Sequence, residues 1–259
     1  MELASHNASV GGHLEKKFAV RDPRDYVLVN LSLSDNDEKL AYINNRLGTT
    51  LKSGDLRDFK IQLSLYDFLN LNNIRKLAFG KKTCNLLDQH TIGFLSMYND
   101  YLICRDITED LKTGKRYTMY RTSGNPSPDD TKIYCLPTEL DLLDPNPAEI
   151  SVAEGPFSII GASLYGKGFG HTARNNLWMA NCGSQYHNTI MQAVRRYGLL
   201  DVVIHIWSDS EIVIKKYETL LKMLDTEMNV IQFYVHYNEK AEDFGHAKDQ
   251  IKDNIVRLK

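Results

Sequence analysis

The sequence predicts an α/β protein: an N-terminal subdomain of helices and then basic strands, followed by a mostly parallel sheet flanked by helices. Three observations predict it. Hydrophobic residues make up 42% of the 259 residues and charged residues 25%, the mix of a globular chain with a substantial core. Between about residues 94 and 136, short aromatic segments are separated by turn residues, the pattern of antiparallel strands. From about residue 149 onward, near-continuous apolar segments alternate with helical stretches, as in a parallel sheet covered on both faces.

Residues 1–34 read as a flexible segment or linker, with Tyr26–Leu31 as a short strand inside it. Ser34 to Glu38 supplies a helix cap with acids in the first turn. Leu40, Ile43 and Leu47 follow at helical spacing, and Gly48 stops the helix. Asp58 to Asn73 predicts one or two short helices, and Lys82–His90 another. Phe94–Tyr98 and Tyr101–Ile107 predict strands joined by the Asn99-Asp100 turn, and Lys115–Arg121 a further strand. Ser123–Asp130 is loop, Lys132–Leu136 a short strand, and Leu143–Pro147 a boundary. The first subdomain therefore spans 35–148 and the second domain 149–259. The second domain begins with strand Ile150–Ala153 and a helix to about Ala162. Strand Leu177–Ala180 and helix Tyr186–Tyr197 follow, then strand Asp201–Trp207 and helix Glu211–Leu224. Strand Val230–Val235 and a final helix from Ala247 to Val256 close the pattern.

The formal net charge is −2, so any nucleic-acid contact must rest on local positive charge. Cys84, Cys104, Cys135 and Cys182 form no C-x-x-C pair; no zinc is expected, and reduced thiols in a cytoplasmic setting are. No apolar run reaches the roughly 18–20 residues that span a bilayer, so no membrane partner is expected. The eight histidines show no ligand spacing, and His205, inside an apolar strand, reads as a core histidine. Gly166–Gly170 lacks the spacing of a phosphate-binding loop and reads as a mobile loop. Trp178 and Trp207 read as core.

The chemistry sits at the strand ends. In an open α/β sheet, ligands gather beyond the carboxyl ends of the strands. Ile150–Ala153 delivers Glu154, Asp201–Trp207 delivers Asp209 and Glu211, and Val230–Val235 is followed by Glu239, Glu242 and Asp243. Carboxylates crowded into one crevice repel unless a cation neutralises them, and their hard oxygens suit Mg²⁺ or Mn²⁺. Against this stands the plainer reading of Asp209 as a helix N-cap.

Val152-Ala153-Glu154-Gly155-Pro156-Phe157 resembles the first TOPRIM motif, an apolar strand ending in Glu-Gly. Ile206-Trp207-Ser208-Asp209-Ser210-Glu211 resembles the second, with Glu211 where Asp is commoner. Ser158 stands where many primases carry Asp. Thr131–Pro137 resembles the Lys-Tyr-x-Asn-Ser-Pro element of DnaG-type primases, Tyr101–Ser123 the strand pair ahead of it, and Asn181–Ser184 their Gly-Thr turn. The chain from about 55 to 256 thus resembles the RNA-polymerising core of a bacteriophage DnaG-type primase without its zinc ribbon. That resemblance implies DNA primase activity: RNA primer synthesis on single-stranded DNA from ribonucleoside triphosphates, by Mg²⁺- or Mn²⁺-dependent nucleotidyl transfer in DNA replication. It implies Glu154, Asp209 and Glu211 as catalytic and metal-binding, with Asp243 as a further metal ligand. Arg105, Lys115, Arg116, Arg121 and Lys132 would hold template or nucleotide phosphates. Tyr117, Tyr120 and Tyr134 are candidates for base stacking or half-buried core. A replicative helicase and a separate zinc-ribbon domain are the implied protein partners. Two rivals share the same residues: a TOPRIM nuclease, and a catalytically silent module that binds nucleic acid or the replisome.

Overall fold

A computed structural model describes residues 26–30, 34–74, 80–122, 132–137, 140–141, 144, 146–165, 175–183, 185–209 and 214–259, with residues 34–37 as backbone only. The architecture is mixed α/β. Helix α1 (Ser34–Leu47) leads through a 3₁₀ turn (Asp55–Phe59) to strand β1 (Ile61–Gln62), helix α2 (Leu65–Leu71) and helix α3 (Lys81–His90). Strands β2 (Thr91–Leu95), β3 (Tyr101–Asp106) and β4 (Tyr117–Arg121) complete an antiparallel four-stranded sheet in the order β1-β2-β3-β4.

The segment 58–73 is broken where two helices were one option. Lys60, at φ 52°, ends the 3₁₀ turn in the left-handed region, and β1 follows to pair with β2. Ser64 then caps α2, its hydroxyl accepting from the Asp67 N–H at 3.2 Å. The strand expected at Tyr26–Leu31 does not form over 26–30. Its polar groups are instead spent on side-chain contacts: Asn30 Nδ2 donates to Ile61 O, and Asn72 brackets Val27.

The second sheet has six strands. It contains β5 (Tyr134–Cys135), β6 (Ala148–Ala153), β7 (Asn176–Ala180), β8 (Asp201–Ser208), β9 (Asn229–Asn238) and β10 (Asp253–Arg257), in the order β10-β9-β8-β6-β7-β5. The inner strands β9, β8, β6 and β7 run parallel, and the edges β5 and β10 are antiparallel to their neighbours. Strand β10 corrects the final helix expected over Ala247–Val256. Only a 3₁₀ turn, Lys248–Gln250, is helical there. The β-branched pair Ile255-Val256 suits a pleated surface, and pairing with β9 satisfies a backbone edge that a helix would leave open. Strand β5, expected with the first subdomain, pairs with β7.

Alternation along β8 divides its side chains between two faces. Val202, Ile204 and Ile206 meet the apolar sides of helices α5 (Tyr186–Tyr197) and α6 (Ile214–Leu224). Trp207 faces the opposite side, where helix α4 (Pro156–Tyr165) lies. This helix is apolar around its whole circumference, and Pro156 through Ala162 are all buried. Such a helix must be covered on every side. The four-stranded sheet supplies the second cover: Phe94 of β2 meets Phe157 edge-on at 5.3 Å. Helix α4 is thus clasped between the two sheets, and one core joins them. Helices α2 and α3 cover the outer face of the four-stranded sheet through Leu65, Phe68, Leu87, Leu102 and Tyr120. No helix among the described residues is long and apolar enough to cross a membrane.

Candidate active site

The crossover from β6 to β7, the turn after β8 and the loop after β9 all open at the carboxyl edge of the parallel strands. Ala153 and Trp207 are register partners, so Glu154 and Asp209 leave adjacent strands at nearly the same height. Glu154 is exposed, and its carbonyl accepts from the Cys182 N–H at 2.9 Å. That bond ties the Glu-Gly turn to the turn after β7, where Cys182 and Gly183 take positive φ. In its protonated form Asp209 donates to the Glu154 carboxylate.

Asp209 is pushed up to about 7, first by partial burial and then by the charges of Glu154, Asp243 and Glu242. Burial disfavours its charged form, and the acids that follow β6 and β9 add to that effect. Glu154, Asp243 and Glu242 thus lie within electrostatic reach of Asp209. Glu239 stands aside: Lys252 at 2.6 Å and Asn254 at 2.9 Å hold it, and they keep it below the usual carboxylate range. Glu211 and Gly166–Gly170 lie outside the described residues.

Close backbone packing places Asp243. A Cβ on Gly161 would lie 1.9 Å from the Phe244 carbonyl oxygen, and one on Gly245 would lie 2.9 Å from the Phe157 backbone. Only glycine lets α4 and this loop approach so near. Asn238, almost fully buried, stitches the loop from within, donating to the carbonyls of Asp243 at 2.8 Å and Gln250 at 3.0 Å. Phe244 meets Trp207 edge-on at 4.9 Å beneath it. The Asp243 carboxylate accepts from the Gly245 N–H at 2.6 Å and pairs with Arg46 at 3.3 Å and His246 at 3.5 Å. Arg46 comes from the last turn of α1 and also lies over the Phe157 ring.

The phosphate-contact candidates divide into separate groups. Arg105 reaches the Glu-Gly turn: its guanidinium donates to the Tyr117 hydroxyl at 2.5 Å and lies over Phe157, and that hydroxyl would be 2.9 Å from a Cβ on Gly155. Arg105 is only 6% exposed, so it braces the turn more than it faces solvent. Arg121 and Lys132 both gather on Tyr101, four residues and about 13 Å along β3. Lys115 and Arg116 are exposed on the turn before β4. Of the tyrosines, Tyr120 and Tyr134 are fully buried, which settles them as core.

Spacing gave no warning of Arg46, Tyr186, Tyr217 and Lys216. Ser208 donates to the Asp209 carbonyl at 2.9 Å, so the Tyr217 hydroxyl, 2.7 Å away, is the donor to Ser208. Tyr186 donates to Tyr217 in turn, and Lys216 lies over both rings. Burial, with Tyr217, Asp209 and Glu154 beside it, raises Tyr186 well above the usual phenol range. The one hint in the sequence is that Tyr186 opens a helix just after the Asn181–Ser184 turn.

All the acidic donors are oxygens, the chemistry of a hard divalent cation. Among the described residues, no three His, Cys, Asp or Glu side chains converge as a finished metal shell. Comparison of the chain with known protein families, with curated proteins and with solved structures returned no match.

Proposed function

We propose that this chain is a DNA primase catalytic core of the DnaG type, with a TOPRIM domain at residues 149–259. The observation that carries the reading is the placement of Glu154, Asp209 and Asp243 at the carboxyl ends of three neighbouring parallel strands, where burial first and then the neighbouring acids push Asp209 up to about 7. Crowded carboxylates of this kind serve phosphoryl chemistry more readily than structure, because without a cation they oppose folding. Glu154, Asp209 and Asp243 would hold Mg²⁺ or Mn²⁺, together with Glu211 from the same motif. When bound, the ion supplies Lewis-acid neutralisation of phosphate charge. Glu154, exposed at the rim of the set, is placed to take the proton of an attacking hydroxyl. Arg46 and His246 hold the Asp243 carboxylate in place. The exposed Lys115 and Arg116, with the Arg121–Lys132 pair beyond them, offer phosphate contacts along the antiparallel sheet toward a single-stranded template. Ribonucleoside triphosphates are the substrates on this reading, and a helicase and a zinc-ribbon protein its partners, in the cytoplasm.

The test is primer synthesis on single-stranded DNA with labelled ribonucleotides and Mg²⁺ or Mn²⁺, with a zinc-ribbon partner supplied in trans. Short RNA products that fall at least a hundredfold in Asp209→Asn are expected. Template shortening without RNA would replace the reading with a nuclease. Neither activity would leave a silent nucleic-acid-binding module.

A further inference from the structure

Away from the acidic crevice, the turn between β2 and β3 joins the two sheets. The Met97 N–H donates to the Ile133 carbonyl at 2.7 Å, and the Tyr98 hydroxyl donates to Gln192 Oε1 of α5 at 3.1 Å. Cations from separate parts of the chain gather on this short turn. Lys60 Nζ donates to the Ser96 carbonyl at 2.8 Å. The Arg196 guanidinium lies 4.6 Å over the Tyr98 ring and 5.6 Å over the Tyr197 ring. Lys132 lies 5.9 Å over the Tyr101 ring. Arg195 adds another charge in the last turn of α5.

The surface of this seam is positive. Lys132, Arg195 and Arg196 are exposed, and among the described residues no carboxylate pairs with them. The turn itself carries one acid, Asp100. Within the seam, burial pushes the Lys60 amine down to about 8, and the Arg196 charge adds to that push. The two cations therefore act in one field. A helix end favours cations in its last turn. That preference does not lay Arg196 on a tyrosine of the other sheet, where the ring holds the guanidinium in place at the surface. Tyr98 and Tyr197 are half-buried, so with Arg196 they offer a stacking surface that unpaired bases can use and a duplex cannot. Arg196 stands ten residues, about 15 Å, along α5 from Tyr186 at the crevice.

We propose that this seam is a second contact for single-stranded DNA, with the strand passing from Lys132 across the β2–β3 turn to Arg195 and Arg196 on α5. The proposal rests on the nucleic-acid reading above and extends its surface from the antiparallel sheet onto the second domain. Contacts of this kind hold phosphates and fix the path of the strand without reading its sequence.

The test is fluorescence anisotropy of labelled oligothymidylate with the full chain, in EDTA and over a range of salt, beside its duplex with oligoadenylate. Binding that favours the single strand is expected. Arg195→Ala with Arg196→Ala should weaken it at least fivefold. The double variant should also flatten the log–log salt dependence by about 1.4, two phosphate contacts at roughly 0.7 each. Arg196→Lys should keep the wild-type slope, because it keeps the charge. If the double variant fails to fold, Arg195→Ala alone, at an exposed position, should flatten the slope by about 0.7. Unchanged affinity and slope in these variants would overturn the proposal and leave the primase reading standing. Seam-dependent binding in a chain that makes no primers would keep the surface and remove that reading. No binding at low salt, or a preference for the duplex, would overturn the proposal. Polyglutamate bound with the same dependence on Arg195 and Arg196 would overturn it too, making the seam a dock for an acidic protein.

Discussion

Asp209 concentrates the physical conflict of the acidic crevice in one side chain. Its carboxyl is pushed from 3.8 to about 7, chiefly by partial burial and then by Glu154 and Asp243. The folded chain therefore holds this proton more tightly than the unfolded chain does. Between pH 4 and 7 the folded state binds more protons, so stability falls as pH rises, and the loss is complete above about 7. Asp209→Asn removes that dependence. In the absence of divalent ions its melting temperature should match the wild type near pH 4 and exceed it near pH 8. The gain should be on the order of a few degrees or less, because the side chain remains exposed and solvent screens its neighbours. Melting curves at the two pH values decide it. A gap that is equal at both, or largest at pH 4, would mean that the acids do not share one field. Added Mg²⁺ should narrow the gap if the crevice holds a divalent ion, since the ion stabilises only the intact carboxylate set.

At the scale of elements, the site depends on how closely α4 and the 239–252 loop approach. Gly161 and Gly245 permit backbone contact that any Cβ would block, and Asn238 holds the loop to the end of β9. Gly161→Ala would press a methyl group into the Phe244 carbonyl. Either the helix or the loop must then shift, at a cost of about 1–3 kcal/mol, as overpacked cores generally show. Asp243 would move away from Asp209 in the same step. Denaturant unfolding should report the stability loss, and an Asp209 titration followed by NMR should report a lower midpoint. An unchanged midpoint would place Asp243 outside Asp209's field. Helix α4 also explains why these two elements were legible: an apolar strand ending in Glu-Gly-Pro, followed by a helix apolar on every side, has few other ways to fold.

For the whole molecule, the two sheets share one core around α4. Phe157 touches Phe94 of the four-stranded sheet, and Arg46 and Arg105 lie over its ring from α1 and β3. Tyr134, expected with the first subdomain, is buried among the same residues and packs against Phe94. Calorimetry should therefore show one thermal transition, not two. Phe157→Ala should lower it by about 3–5 kcal/mol without splitting it. Two separated transitions would show that the sheets fold as independent units.

Local pattern was enough for most of the elements, because the signals that specify them act within a few residues. The apolar runs at Ile150–Ala153 and Asp201–Trp207 admitted only buried strands, and helix Tyr186–Tyr197 ended at Gly198 in a left-handed cap. Glu154 and Asp209 were legible for the same reason: each directly follows a strand that could be recognised. Other features were decided only in three dimensions. Ile255 and Val256 sit at a spacing that fits helix or strand equally, and the open edge of β9 chose strand. Asp243 and Glu239 follow the same strand, and the backbone contact at Gly161 together with the pull of Lys252 separated their fates. Arg46 meets Asp243 across 197 positions of chain, and His205 meets His236, which in turn meets Asp253, across three strands. Contacts of that range depend on strand order and loop path, which arise from packing the whole chain and leave no periodic trace in any one segment.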